Sequence, residues 1–188
     1  MTALLGVSRA IDAATTWIGR WASWLTPAAV LVSTINAIVR YIQPQMSSNA
    51  WLEAQWYLFG ATFLLVAPWA LLSGDHIRID IINSRLSQNA RNWIDLLGHL
   101  LFLLPVAASM FYYSLPMALR SYAQHEVSQN AGGLAVWPAK FLIPIGFALL
   151  FVQGVSELIK RLAIMQGQLE DQGGGGHQAA AEAEAARL

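Results

Sequence analysis

Apolar runs long enough to cross a lipid bilayer constrain this chain more than any other feature. They extend from Trp21 to Ile42, Ala54 to Leu72, Leu96 to Leu119 and Phe141 to Ser156. A hydrocarbon core of about 30 Å takes about 20 helical residues to span. Lipid offers no partner to a backbone N–H or C=O, so each run must bond its own backbone as a helix. The expected fold is an all-α integral membrane protein with four transmembrane helices. The fourth run is the shortest, and it spans only if Lys140 and Glu157 at its margins snorkel or face protein. With flanking residues included, the spans are about 21–42, 54–72, 93–119 and 138–162, within a membrane domain of residues 21–164. Composition agrees: 12% of residues are charged, against roughly 25% in a soluble domain.

The ends of the runs carry orientation. Trp17, Trp21 and Trp24 mark the start of the first as an aromatic belt does, and Tyr112 and Tyr113 lie toward the far end of the third. Pro68 predicts a kink in the second, and Ser87 and Asn89 are capping candidates for the third. Arg9, Arg20, Arg78, Arg85, Arg91, Lys160 and Arg161 fall on one side of the membrane, and Arg40, Arg120 and Lys140 on the other. Since cytoplasmic loops hold the basic excess, both termini are expected in the cytoplasm.

Two segments outside the spans have a character of their own. Residues 1–20 read as an amphipathic interfacial helix. Leu4, Val7, Ile11, Ala14, Ile18, Trp21 and Leu25 recur at steps of three and four, opposite Ser8, Arg9, Asp12, Thr16 and Arg20. Such a helix lies along the cytoplasmic interface or against a partner helix. Asp12 and Arg20 interrupt what a signal peptide keeps apolar, so the stretch is read as retained. Residues 165–188 contain four consecutive glycines and an Ala/Glu tract, and read as a disordered cytoplasmic tail.

Several classes of chemistry are disfavoured. Eleven basic and eleven acidic residues leave no footprint for nucleic acid. The absence of cysteine removes disulfides, thiolate metal sites and a cysteine nucleophile. His99 alone among four histidines lies within a span, so haem held between helices lacks a second axial ligand. A His99 hydrogen bond between helices is expected instead. Asn36 and Gln153 are the other strongly polar groups within spans, and their amides suit interhelical bonds. Gln153, Ser156, Glu157 and Lys160 share one face, where Glu157 pairs with Lys160 or Arg161 one turn on. No catalytic constellation or phosphate loop appears, and Gly132–Gly133 reads as a turn. The absence of an internal repeat disfavours a stand-alone carrier. A membrane anchor holding haem or quinone for a redox complex stays open as the alternative.

The loop from Gly74 to Ser87, G-D-H-I-R-I-D-I-I-N-S-R-L-S, is unusual in setting aspartates among its positive-inside arginines. Here the chain resembles the DctQ-like small membrane subunit of tripartite ATP-independent periplasmic (TRAP) transporters. In that family the second helix ends in a stretch like H-V-R-V-D-V followed by S-R-L-S, matched by His76 to Ile81 and Ser84 to Ser87. SSNAWLEAQWYLF, Ser47 to Phe59, and Asn130 to Leu162 resemble the mannitol/chloroaromatic-type branch. The resemblance covers about residues 1 to 165. It implies a scaffold in the bacterial inner membrane. A periplasmic solute-binding protein captures a small organic acid, a large multi-span subunit moves it with sodium, and the small subunit holds the large one. No catalysis and no cofactor are then expected of this chain. The candidate partner interface is Arg40, Glu53, Trp56, His76, Arg78, Asp80, Arg85, Arg120, Glu126, Asn130, Gly132, Gly133, Trp137 and Lys140.

Overall fold

A computed structural model of the chain describes residues 2–46, 48–74 and 87–169. Helices α1 (Thr2–Ser23) and α2 (Leu25–Ile42) follow one another almost without a break. A single 3-10 turn, Pro44–Met46, leads to α3 (Asn49–Ser73). Next come α4 (Gln88–Gly98), a π turn over His99–Leu103, α5 (Leu104–Ala123) and α6 (Trp137–Met165). The fold is all-α, and among the described residues four helical stretches are long and apolar enough to span: Ala3–Ile42, Asn49–Ser73, Asn89–Ala123 and Trp137–Met165.

Local chemistry sets these boundaries. The Ser48 hydroxyl accepts from the Ala50 N–H to start α3, and Gly74 ends it in the left-handed conformation at φ 69°. Ser87 caps α4 as expected, accepting from the Ala90 N–H. At Trp24 the Trp24 N–H turns back to the Trp21 carbonyl, and Pro27 three residues on has no N–H to donate. This is where α1 gives way to α2. The two together measure about 60 Å, about twice the hydrocarbon thickness. One of them must therefore leave the spanning direction. In the third stretch Pro105 cannot donate to the Leu101 carbonyl, and the Leu104 N–H bonds the His99 carbonyl five residues back.

The spanning helices stand in a row. α2 packs on α3, α3 on α6 and α6 on α5, while α1 crosses α3 and α6 near one end. That end, where α1, the start of α4 and the close of α6 meet, is the terminal end. The opposite one, with the loop between α5 and α6, is the hairpin end. An open row encloses little, and its fully buried side chains are small or polar: Gln153, Pro68, Pro144, Ser8, Ser121 and Ser156. Large apolar groups such as Phe63, Phe102 and Leu101 point outward. Lipid is as apolar as leucine, so close approach and interhelical hydrogen bonds hold such helices together. Along α1 and α2 the contact seam is Ser8, Thr15, Ala22, Ala29 and Asn36, spaced by seven and none more than 8% exposed.

Gly19 lies where an added Cβ would come within 2.6 Å of Trp69. Pro68 leaves the Leu64 carbonyl without its helical donor, and Gly146 of α6 comes up against that carbonyl. A Cβ at Gly146 would lie 2.9 Å from that oxygen. Small residues thus set the separation of α3 from α6.

The Leu4–Val7–Trp21 stripe of α1 faces outward, while Ser8, Asp12 and Thr15 turn inward against the row, because polar groups gain more from partners than from lipid. Two expectations need correction. His99 makes its hydrogen bond within its own helix, Nδ1–H donating to the Asp95 carbonyl at 2.6 Å, and not between helices. The Asn36 side chain is buried, but its Oδ1 receives no hydrogen bond from the described residues. Residues 75–86, with His76, Arg78, Asp80 and Arg85, lie outside the described residues, as does the tail from 170 onward.

Candidate functional site

Polar chemistry gathers at the two ends of the row. At the terminal end, the polar face of α1 meets the polar face of α6. The Gln153 amide is fully buried, and all its bonds can be accounted for. Thr15 Oγ1 donates to Gln153 Oε1 at 2.8 Å, and Gln153 Nε2 donates to Asp12 Oδ1 at 2.9 Å and Glu157 Oε1 at 3.1 Å. The Ser156 hydroxyl gives its one proton to Asp12 Oδ1 at 2.8 Å, so Ser8 donates to Ser156 across 2.7 Å. Lys160 closes the set, donating to Asp12 Oδ2 at 3.1 Å and Glu157 Oε1 at 2.5 Å. Two carboxylates share one ammonium in this closed set. On the next face, Arg161 pairs with Asp95 at 2.6 Å and donates to Asn92 Oδ1 at 3.2 Å, tying α6 to α4.

The Glu157–Lys160 pair was legible in the sequence; its extension to Asp12, Ser8 and Thr15 was not. A signal existed. Ser, Thr and Ala recurring every seven residues through an apolar helix mark a contact seam in lipid, where polarity points inward.

At the hairpin end one carboxylate organises a loop. Glu53, 7% exposed on the first turns of α3, accepts from the Ser128 hydroxyl, from Asn130 Nδ2 at 2.9 Å and from the Leu134 N–H at 2.7 Å. Ser48 Oγ donates to the Gly132 carbonyl at 3.0 Å and Asn49 Nδ2 to the Ala131 carbonyl at 3.1 Å. The loop closes on itself through Ser128 N–H to the Leu134 carbonyl and Val136 N–H to the Glu126 carbonyl. Gly132 takes φ 70° at its tip, and a Cβ at Gly133 would meet Ser128 and Glu53. Below it, Lys140 donates to Glu126, and Trp137, Tyr122 and Phe141 pack edge to face. The bond from Lys140 holds the Glu126 carboxyl below its ordinary range.

The structure therefore brings Glu53, Asn130, Gly132 and Gly133 into one assembly and joins Glu126 to Lys140 beside it. Glu53 is turned into the protein. Arg40, Trp56 and Arg120 are exposed near the same end. Arg120 lines a shallow cavity of about 550 Å³ with Tyr112, Tyr113, Gln124, Glu126 and Lys140. Among the described residues no group of three or more His, Asp or Glu could hold a metal ion.

Residues 7–163 match the family described as tripartite ATP-independent periplasmic transporters, DctQ component. The chain belongs to the DctQ family. No curated protein and no solved structure matches it. The DctQ match takes in the α1–α6 network, the Glu53 clasp and all four spanning stretches. DctQ components are small membrane subunits of these transporters and carry out no catalysis. The two polar assemblies accordingly join parts of a membrane subunit, and neither surrounds a reacting group.

Proposed function

We propose that this chain is the fixed scaffold of a sodium-coupled importer of a small organic acid, in the mannitol/chloroaromatic-type branch. It holds a large multi-span subunit that carries both solute and sodium. One observation carries the reading: the polar side chains of α1 and α6 are spent on one another, while the broad faces of the row are apolar. Such faces suit a second membrane protein, and α1, α2 and α3 are the helices that meet it. Domain roles follow: residues 1–20 as an interfacial helix, 21–164 as the membrane scaffold and 165–188 as a cytoplasmic tail.

The terminal end faces the cytoplasm and the hairpin end the periplasm. Arg9, Arg20, Arg91, Lys160 and Arg161 at the terminal end support this orientation. The loops Gln43 to Trp51 and Arg120 to Trp137 then receive the solute-binding protein, and the Glu53 clasp supports that role by presetting the second loop. Partner docking also involves Arg40, Trp56 and the His76–Arg85 stretch.

The deciding experiment is uptake of an organic acid into sodium-loaded and sodium-free liposomes. The complete three-part system should transport, and this chain with the binding protein alone should not. Uptake without the large subunit would overturn the scaffold assignment. For the loops, charge reversal at Arg120 and at Glu126 should weaken docking of the binding protein. Unchanged docking and uptake would remove those two residues from the interface.

A further inference from the structure

We propose that the cavity beside Arg120 holds the headgroup of an anionic phospholipid in the leaflet at the hairpin end. Its lining is ordered along the membrane normal. Arg120 and Gln124, near the end of α5, form the upper part together with Lys140 of α6. Tyr112, Tyr113 and Met117 form the lower part, up to roughly 12 Å below Arg120 along the helix by its rise per residue. The two tyrosines are 70% and 74% exposed on a spanning helix, the setting in which amphipathic rings meet the boundary between headgroups and chains.

The charge above that track is positive. Lys140 is bound to Glu126, which leaves the Arg120 guanidinium with no hydrogen bond or ion pair among the described residues. A guanidinium presents a fork of donors that fits the two free oxygens of a phosphate. Glu126 does not cancel it, because that carboxylate is engaged by Lys140 and anchored through the loop backbone. A soluble anion would use the upper part alone. The lower part, lined by Met117 and the exposed tyrosine rings of a spanning helix, selects a lipid whose acyl chain follows them. This assignment holds whichever compartment the hairpin end faces, so it stands apart from the orientation proposed above.

The test is lipid retention by the full chain, purified in detergent, exchanged into equal phosphatidylglycerol and phosphatidylcholine, and read by native mass spectrometry. The wild type should keep phosphatidylglycerol over phosphatidylcholine by about fivefold, the ratio expected from one basic side chain at an anionic surface. Arg120→Gln should abolish that preference, Arg120→Lys should keep most of it, and Arg9→Gln at the opposite end should leave it intact. Equal retention by wild type and Arg120→Gln would overturn the proposal. Displacement of the lipid by millimolar inorganic phosphate would also overturn it, in favour of a soluble-anion site. So would loss of the preference when the large subunit is bound, since a protein group would then occupy the cavity.

Discussion

At the terminal end, Asp12 and Glu157 divide one lysine between them and are bridged by a buried amide. At the hairpin end, Glu53 has no cation partner among the described residues and is satisfied by a hydroxyl, an amide and a backbone N–H. The first arrangement joins helices far apart in sequence, because donors and acceptors sit on α1 and α6. The second joins a helix to a loop. Carboxylates at the margins of apolar helices must find partners wherever they sit. The partner decides the consequence: side chains on a second helix fix the row, and loop backbone fixes the shape of a surface.

If that contrast is right, damage at the terminal end should be the more global. Gln153→Leu removes three hydrogen bonds at once and leaves Asp12 and Glu157 repelling one another, for an expected loss of about 2–4 kcal/mol. Thermal unfolding in detergent should register it, and α1 should become open to protease. Undiminished protection of α1 would break the comparison.

Between the two ends the row is held by shape. Gly146→Leu drives a side chain into Leu64 and its carbonyl, where about 1–3 kcal/mol is the usual cost of overpacking. A crosslink between cysteines placed on α3 and α6 would report the separation.

Glu53→Gln should be smaller and local. An amide cannot accept at both of its ends, so either the Leu134 N–H or the Ser128–Asn130 pair loses its partner, at about 1–2 kcal/mol. Amide exchange should quicken at residues 128–134 while the unfolding temperature barely moves. A large drop in that temperature would mean that the clasp also supports the row.

The smallest expected effect is that of pH on the Glu126–Lys140 contact. Hydrogen bonding by Lys140 lowers the folded value of the Glu126 carboxyl beneath its ordinary 4.5. A depressed acid contributes above its unfolded value and loses that contribution as pH falls through the folded one. Exchange at residues 126–136, divided by the intrinsic amide rate at each pH, should therefore stay flat from neutral pH to about 4.5 and rise only below it. A rise near neutrality would point to another group.

Much of this was readable in advance. The membrane-spanning helices, the Ser87 cap, the Gly132 turn and the Glu157–Lys160 pair all follow from patterns within one segment. The inward partners of Ser8, Asp12 and Thr15 were not readable, because they lie on α6, some 140 residues away in sequence. The bond of His99 to its own helix depends on local backbone geometry that spacing does not reveal.

What the sequence by itself determined is that the chain is helical and lies in a bilayer, since apolar length and backbone bonding leave no other solution. Which helices are neighbours came only from the tertiary structure. Lipid tolerates every apolar face equally, so hydropathy cannot rank them. The choice falls to the few places where Gly146 meets Leu64, where Gln153 meets Asp12 and Thr15, and where Glu53 meets a loop some eighty residues away.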